Sequence, residues 1–244
     1  MRNADIGSSP PKIIVPLVEK NTETLLQKAE NLQKMHHVDV VEWRTDFFET
    51  DKIIELLPGL RDALKDKSLL FTFRTKNEGG EKEISQKSYH DLNIAAAKSG
   101  MVDLLDVEIF SSVAKKIIAV AHESNVIVVG SRHDFSRTPP KDELISWLKM
   151  AQEINADIPK IAVMPTNTND VLTLLAATSE MYESYADRPI ITMSMGHLGV
   201  ISRISGEIFG SCMTFGTVGE ASAPGQIPLE DLAKALEIVN SGRH

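Results

Sequence analysis

One lysine, Lys160, lies inside the apolar run 158–164, which has the composition of a short buried strand. Lysine is rarely buried without a partner, and removal from water favours the uncharged amine over the ammonium. An uncharged amine in a pocket can attack a carbonyl carbon and form a Schiff base. Lys160 is therefore a candidate nucleophile, and the alternative is a strand-end lysine whose ammonium reaches water.

Other polar residues occur where further apolar runs end. Glu42 and Arg44 are two residues apart, so on a strand they share one face, either as a structural ion pair or as part of a site. His133 differs from the other histidines because it follows a buried-looking run, 126–130. The remaining polar residues at such ends are Arg74, Glu78, Asp106, Glu108, Ser131, Arg132, Asp134, Ser194, Ser222 and Gln226.

The elements that would position these residues alternate along the chain. Apolar, β-branched runs predict strands at 12–18, 38–43, 68–74, 102–108, 126–132, 158–164, 190–193 and 211–215. Amphipathic segments between them predict helices at 22–34, 52–65, 84–99, 111–124, 141–154, 169–182, 197–203 and 229–239. Asn21 is a candidate cap for the first helix.

Eight strand–helix units with short connections predict an α/β fold, a single-domain (β/α)₈ barrel spanning 12–244. A doubly wound open sheet is the alternative, although no glycine-rich dinucleotide fingerprint follows the first strand. In a barrel, the carboxyl ends of the strands share one rim. Charged residues gathered on a rim are costly unless they are paired and used, which favours a functional site there.

The composition limits the classes of function. A net charge of −8 gives no global attraction to nucleic acid or to an anionic membrane, so an anionic substrate needs local arginines. No apolar run approaches the length of a membrane span, and residues 1–11 read as a loose polar tail rather than a signal peptide. The single cysteine, Cys212, excludes an intrachain disulfide, favours a cytoplasmic protein and reads as a buried, inert thiol.

Metal binding is not expected. The sequence lacks the paired His or Cys spacings of metal sites, and cationic residues at the rim would repel a metal ion. A glycine-rich phosphate loop is also missing, and no cofactor is predicted.

Six segments, each near the end of a predicted strand, together resemble the type I 3-dehydroquinate dehydratases of the shikimate pathway. The resemblance extends from about residue 12 to residue 239. In chain order the segments are Glu42-Trp43-Arg44-Thr45-Asp46, Phe71-Thr72-Phe73-Arg74 with Glu78-Gly79-Gly80, Ser131-Arg132-His133-Asp134-Phe135, Pro159-Lys160-Ile161-Ala162, Met193-Ser194-Met195-Gly196 through Ser202-Arg203, and Ala221-Ser222-Ala223-Pro224-Gly225-Gln226.

The resemblance implies a lyase of aromatic amino acid biosynthesis that dehydrates 3-dehydroquinate to 3-dehydroshikimate. It implies Lys160 as the Schiff-base lysine and His133 as the general base and acid, a role that suits a group titrating near neutrality. Glu78 would orient His133 and favour its imidazolium form. Arg203 would hold the substrate carboxylate.

The same resemblance predicts the rest of the site. Residues expected to contact the substrate besides Arg203 are Glu42, Arg44, Arg74, Ser222 and Gln226, the last two on a loop that closes as a lid. Residues expected to form the pocket wall are Phe135, Met193, Met195, Phe215 and Ala223. The resemblance also implies a homodimer. A Schiff-base aldolase and a non-catalytic binder of small carboxylates are the competing functions.

Overall fold

Eight parallel strands, each followed by helix, make up most of the molecule. The computed structural model describes residues 5–48, 52–219 and 221–242. The strands are β1 Lys12–Leu17, β2 Val40–Arg44, β3 Ser68–Thr72, β4 Leu104–Glu108, β5 Ile127–Asp134, β6 Ile158–Val163, β7 Ile191–Ser194, β8 Met213–Thr217 and the two-residue β9 Ile227–Pro228.

The helices alternate with the strands, and three of them begin at a side-chain cap. They are α1 Thr22–Gln33, α2 Ile53–Leu64, α3 Gln86–Lys98, α4 Ala114–Glu123, α5 Lys141–Glu153, α6 Thr168–Ser184, α7 Val200–Ile204, α8 Gly206–Phe209 and α9 Leu229–Ser241. Asn21, Ser85 and Asn167 cap α1, α3 and α6 by accepting backbone N–H bonds from the first turns, because those N–H groups lack a partner within the helix.

The strands close into a barrel in the order β7-β6-β5-β4-β3-β2-β1-β8. All neighbouring pairs from β7 round to β8 are parallel ladders. Between β7 and β8 the closure consists of one parallel bridge, Ile190 with Ser211, beside the bond from the Cys212 N–H to the Ile190 carbonyl at 2.9 Å. β9 adds to the outer side of β8.

The inner face of the barrel changes from apolar to polar along each strand. One apolar residue from every strand of the ring fills the lower part of the barrel: Ile14, Val40, Leu70, Leu104, Val129, Ile158, Ile191 and Met213. Two residues further along, the same face carries Glu42, Thr72, Asp106, Ser131 and Lys160. A larger apolar layer packs the helices against the outer face of the strands. The buried floor therefore places the polar side chains at the mouth.

The predicted fold class and single domain are confirmed, and the open-sheet alternative is wrong because the ring returns to its start. The structure adds β9 and divides the predicted segment 197–203 and its sequel into α7 and α8. In the predicted tail, Ile6 packs against the inner apolar cluster and Pro11 is buried. Residues 1–4, 49–51, 220 and 243–244 lie outside the described residues, so the tail 1–11 and the domain 12–244 stay predictions over their full lengths.

Candidate active site

A pocket of about 470 Å³ opens at the carboxyl ends of the strands. All fourteen residues that the sequence assigned to a site line it, together with Gly79 and Ala162. The fourteen are Glu42, Arg44, Arg74, Glu78, His133, Phe135, Lys160, Met193, Met195, Arg203, Phe215, Ser222, Ala223 and Gln226. The structure brings these side chains together in one pocket, and their roles stay predictions.

Lys160 projects from β6 into this pocket and is 3% exposed. Its Nζ lies 3.2 Å from Oδ2 of Asp106 and 4.7 Å from the centroid of the Phe215 ring. The amine is therefore shielded from water, as predicted, but the structure gives it a carboxylate partner that the sequence analysis had not paired with it. Addition to a carbonyl carbon requires the uncharged amine with its lone pair free.

His133 follows Ser131 on the inner face of β5, which is adjacent to β6. Its Nδ1 lies 3.0 Å from Oε2 of Glu78, and its backbone N–H donates to the same oxygen at 2.9 Å. Burial, together with the charges of Arg74, Lys160, Arg44 and Arg132, lowers the pKa of His133 well below its usual value.

The neutral imidazole is thus the resting form of His133 near pH 7. The sequence analysis expected Glu78 to favour the imidazolium form, but burial and four cations outweigh that one carboxylate. A neutral ring that donates from Nδ1 to Glu78 keeps a lone pair on Nε2. His133 is accordingly suited to accept a proton in this pocket.

Arg74 is the centre of a buried ionic network. Its Nη2 lies 2.7 Å from Asp106, and its Nη1 lies 3.1 Å from Glu108 and 2.9 Å from the Ser131 hydroxyl. Burial alone would lower the pKa of this guanidinium, but the carboxylates of Asp106, Glu108 and Glu78 raise it. Arg74 thus connects Asp106, Glu108 and the Ser131 hydroxyl, and its contact with the substrate stays a prediction.

Asp106 is the main residue that the sequence analysis noticed but did not assign to the site. It is completely buried and contacts Arg74, Ser131 and Lys160. Burial would raise its pKa, yet Arg74 and Lys160 hold the pKa below its usual range. The position of Asp106 two residues after the inward-facing Leu104 could have indicated a place in the site, because side chains alternate along a strand and both therefore face the inside of the barrel.

Glu42 and Arg44 share the inner face of β2, as their spacing predicted, but they do not pair with each other. Arg44 donates from Nε and Nη2 to the two oxygens of Asp46, at 2.8 and 2.7 Å. Glu42 accepts a 2.9 Å bond from the Thr72 hydroxyl. A bidentate partner fixes the plane of the Arg44 guanidinium at the edge of the pocket.

Arg203 is 1% exposed and has no acidic partner within the part of the chain that the structure describes. Its Nη2 donates to the Pro224 carbonyl at 3.0 Å, and its buried Nε makes no hydrogen bond to a described residue. Burial lowers its pKa to about 10, which leaves it cationic at neutral pH. A buried, uncompensated guanidinium beside a pocket favours an anionic ligand, which would remove the cost of the unpaired charge.

A covering loop, residues 221–226, lies over the mouth between β8 and β9. The backbone N–H of Ser222 donates to Oε1 of Gln226 at 2.9 Å, and Nε2 of Gln226 donates to the Ser222 hydroxyl at 3.0 Å. The Pro224 carbonyl also accepts the Gly196 N–H at 3.1 Å, which attaches the loop to the segment after β7. These contacts place the loop over the pocket.

Gly225→Ala is expected to displace the covering loop. Gly225 has a φ of +77°, and an added Cβ would lie 2.3 Å from the Gly196 carbonyl oxygen, so the two backbones would have to separate. We expect KM to rise by about tenfold, measured by steady-state kinetics, because a displaced loop no longer covers the pocket. Gly100→Ala is the matched control, since it has a φ of +70° but no atom within 4 Å. Equal KM values in the two variants would contradict the expectation.

The described residues contain no cluster of three or more His, Cys, Asp or Glu side chains that could hold a metal ion. Within the same ranges, no helix is long and apolar enough to cross a membrane. The pocket itself is lined by a lysine, a histidine and several charged residues.

A barrel whose mouth holds a buried lysine beside a neutral histidine and an unpaired arginine has the layout of an enzyme for small anionic carbonyl compounds. The model of the type I 3-dehydroquinase family matches residues 13–243. The chain belongs to that family, and the family and enzyme class predicted from the sequence are confirmed.

Individual relatives support the same assignment. The 3-dehydroquinate dehydratases of Bacillus licheniformis and Bacillus subtilis are each 49% identical over 98% of this chain and 96% of their own length. A crystal structure of type I 3-dehydroquinate dehydratase from Clostridium difficile with covalent modified comenic acid has a TM-score of 0.94 at 47% identity, covering 99% of this chain and 97% of that one. The enzyme from Enterococcus faecalis has a TM-score of 0.91 at 41% identity, with 97% of each chain covered.

Proposed function

We propose that this chain dehydrates 3-dehydroquinate to 3-dehydroshikimate through a Schiff base on Lys160, with His133 as general base and acid. The observation that carries the proposal is the burial of Lys160 and His133, on adjacent strands, in one pocket that also contains the unpaired Arg203. Close relatives that carry the name 3-dehydroquinate dehydratase supply the identity of the substrate.

The first half of the reaction makes the substrate acidic. Lys160, after losing its proton, adds to the ketone, and loss of water gives an imine whose protonated nitrogen serves as an electron sink. Direct removal of a proton beside the ketone is slow because the carbanion is poorly stabilised. The imine lowers this barrier, and the neutral His133 accepts the proton from the adjacent carbon to leave an enamine.

The second half expels the β-hydroxyl. The nitrogen lone pair re-forms the iminium and the enamine carbon pair forms the new carbon–carbon double bond as the carbon–oxygen bond breaks, and His133 in its imidazolium form gives its proton to the leaving oxygen, which departs as water. Water then hydrolyses the conjugated imine, which releases the product and the Lys160 amine. Asp106, which also pairs with Arg74, lies 3.2 Å from the Lys160 amine and would help to position it for this chemistry.

Arg203→Met is expected to raise KM on the order of 10- to 100-fold with a smaller effect on kcat. The variant removes the cation proposed to bind the substrate carboxylate, and a charge-assisted hydrogen bond contributes about 1.5–3 kcal/mol. Steady-state kinetics with 3-dehydroquinate measures the effect. Arg203→Lys keeps the charge without the planar fork and should give an intermediate KM. A KM unchanged in Arg203→Met would contradict the assignment of this residue.

The direct test of the proposed function is to incubate the purified protein with 3-dehydroquinate and follow the ultraviolet absorbance of the conjugated enone product. Appearance of the product at a catalytic rate supports the dehydratase. Turnover of phosphorylated sugars instead would favour a Schiff-base aldolase on the same barrel. Reversible binding without conversion or an adduct on Lys160 would favour a non-catalytic binder of carboxylates.

We also propose the general properties that the sequence predicts. These are a cytoplasmic homodimer, a small-molecule substrate with no nucleic-acid or membrane partner, a loose tail at 1–11 and a catalytic domain at 12–244. Light scattering during gel filtration measures the mass in solution, and a monomer would contradict the dimer.

A further inference from the structure

Arg132 lies on β5 directly before His133, one of the two proposed catalytic residues. The inference drawn from it rests on the proposed function. His133 and Ser131 face the inside of the barrel, so Arg132 between them faces outward. It does not line the active-site pocket; it borders a neighbouring polar cavity together with Glu78, Glu108 and Phe110. Glu78 lines both cavities and hydrogen-bonds to Arg132, so it connects the guanidinium to the site.

Two aromatic rings hold the Arg132 guanidinium in position. Its Cζ lies 5.0 Å from the centroid of Phe110 and 5.2 Å from that of Trp147, and the two rings are nearly perpendicular to each other. A guanidinium stacked on aromatic faces keeps its charge at low cost in hydrogen bonds. From this position Nη1 donates to Oε1 of Glu78 at 2.8 Å.

The two oxygens of Glu78 therefore have different partners. Oε1 is occupied by Arg132, whereas Oε2 accepts from the backbone N–H of His133 and lies 3.0 Å from its Nδ1. Because the bond from Arg132 fixes Oε1 of Glu78, Oε2 stays directed toward the imidazole of His133. Loss of the anchor would free the carboxyl group to rotate about its last torsion.

The charge on Glu78 decides which nitrogen of His133 carries the proton. A Glu78 carboxylate can only accept, so it requires a proton on Nδ1 and leaves the lone pair on Nε2. A protonated Glu78 can donate to Nδ1, which would place the imidazole proton on Nε2. In that state the ring has no lone pair on Nε2 with which to accept a proton from the substrate.

Several groups act on the charge of Glu78. Burial and Glu108 raise its pKa to about 7, and Arg74, with Nη1 at 3.7 Å, and Arg132 both lower it. His133 contacts it directly and is neutral near pH 7, while Asp106 and Glu108 share the charge of Arg74. The Arg132 charge is the one cation that hydrogen-bonds to Glu78 among the residues that the structure describes.

We propose that Arg132 is a positioning residue that keeps Glu78 in its carboxylate form and thereby holds His133 in the tautomer with a lone pair on Nε2. It touches no substrate and acts through Glu78. The rings of Phe110 and Trp147 fix the position from which it acts.

The test compares Arg132→Met, Arg132→Lys and the control Arg137→Met across the pH profile of kcat/KM. Arg137 is a half-exposed arginine that pairs with Asp134 and Glu143, outside the site. Arg132→Met should move the acid limb upward by about one pH unit, because an opposite charge at this distance shifts a carboxyl pKa by about 1–3 units. The variant should therefore be about tenfold slower at pH 6 and approach the parent at pH 9.

Arg132→Lys should recover at least part of the shift, and Arg137→Met should leave the profile unchanged. A profile of Arg132→Met that superimposes on the parent, or that falls equally at every pH, would overturn the proposal, since the second result is what a purely structural role predicts. Thermal unfolding of each variant shows that the folded protein is being compared.

A second measurement reads the tautomer without substrate. Nitrogen-15 shifts of the His133 ring, assigned by their loss in His133→Gln, should show a protonated Nδ1 in the parent at pH 7.5 and a larger Nε2-protonated fraction in Arg132→Met. Identical tautomers in the two proteins would overturn the proposal. Failure of the parent to convert 3-dehydroquinate would instead count against the proposed function, and the ring shifts would still decide the role of Arg132.

Discussion

Lys160→Ala is expected to lower kcat on the order of 10⁴-fold or more, because the variant loses the covalent electron sink and not only a contact. The substitution leaves Asp106 without its lysine partner, and breaking a buried ion pair often costs about 3–5 kcal/mol. Here Asp106 retains Arg74 at 2.7 Å and the Ser131 hydroxyl at 2.6 Å, so we expect the barrel to remain folded. The measurement is turnover of 3-dehydroquinate by the folded variant.

Borohydride reduction in the presence of substrate gives the matching chemical test. The parent should acquire one reduced adduct on Lys160, located by mass spectrometry of peptides, and Lys160→Ala should acquire none. Lys116→Ala, which removes an exposed lysine of α4, is the control and should react like the parent. Normal turnover by the parent with Lys160 unmodified would contradict the Schiff-base mechanism.

His133→Ala is expected to lower kcat by about 10²–10⁴-fold, the usual contribution of a positioned proton-transfer group. Imine formation on Lys160 should persist, because the amine and the pocket remain. The structural reason is that His133 is the neutral base beside the lysine, while its neighbour Glu78 already accepts from Arg132 and from the His133 backbone N–H.

The signature of that variant is an adduct without product. Mass spectrometry after borohydride should find Lys160 modified in His133→Ala at a level similar to the parent, whereas the enone absorbance should rise slowly. Full activity of His133→Ala would contradict the proposed role. Loss of both the adduct and the product would show that His133 is already required for imine formation.

The barrel and the pocket were predictable because they follow from periodicity. Inward and outward residues alternate along every strand, so the step from Val40 to Glu42, or from Ile158 to Lys160, locates the mouth from the sequence alone. α1 starts at its predicted position because Asn21 caps its first turn, and α5 and α9 start at theirs directly after Pro140 and Pro228. The resemblance added the role expected of each residue.

The electrostatic partnerships were not predictable in the same way. Arg44 pairs with Asp46, Lys160 with Asp106, and Arg132 with Glu78, and each pairing depends on how neighbouring strands and loops bring side chains together. Burial also contributes to each pKa, and it depends on the whole tertiary structure. The neutral form of His133 is the clearest case, because neighbouring charges and burial oppose the effect of Glu78.

Arg132 illustrates a contact that the alternation of inward and outward residues along a strand does not reveal. The rule assigns it to the outer face of β5, away from the pocket, and that assignment is correct. Glu78, however, lies on the loop after β3 and approaches the end of β5 from above, where it bonds on one side to Arg132 and on the other to His133. A contact across the end of a strand has no periodic signature.

The carbonyl oxygen of Pro224 has a consequence for the timing of turnover. It holds the covering loop to Gly196 and at the same time occupies part of Arg203, the proposed carboxylate site. Arg203 therefore contacts the covering loop and is also the residue proposed to bind the substrate carboxylate. We therefore expect release of the product to be coupled to opening of the covering loop, since Arg203 contacts both.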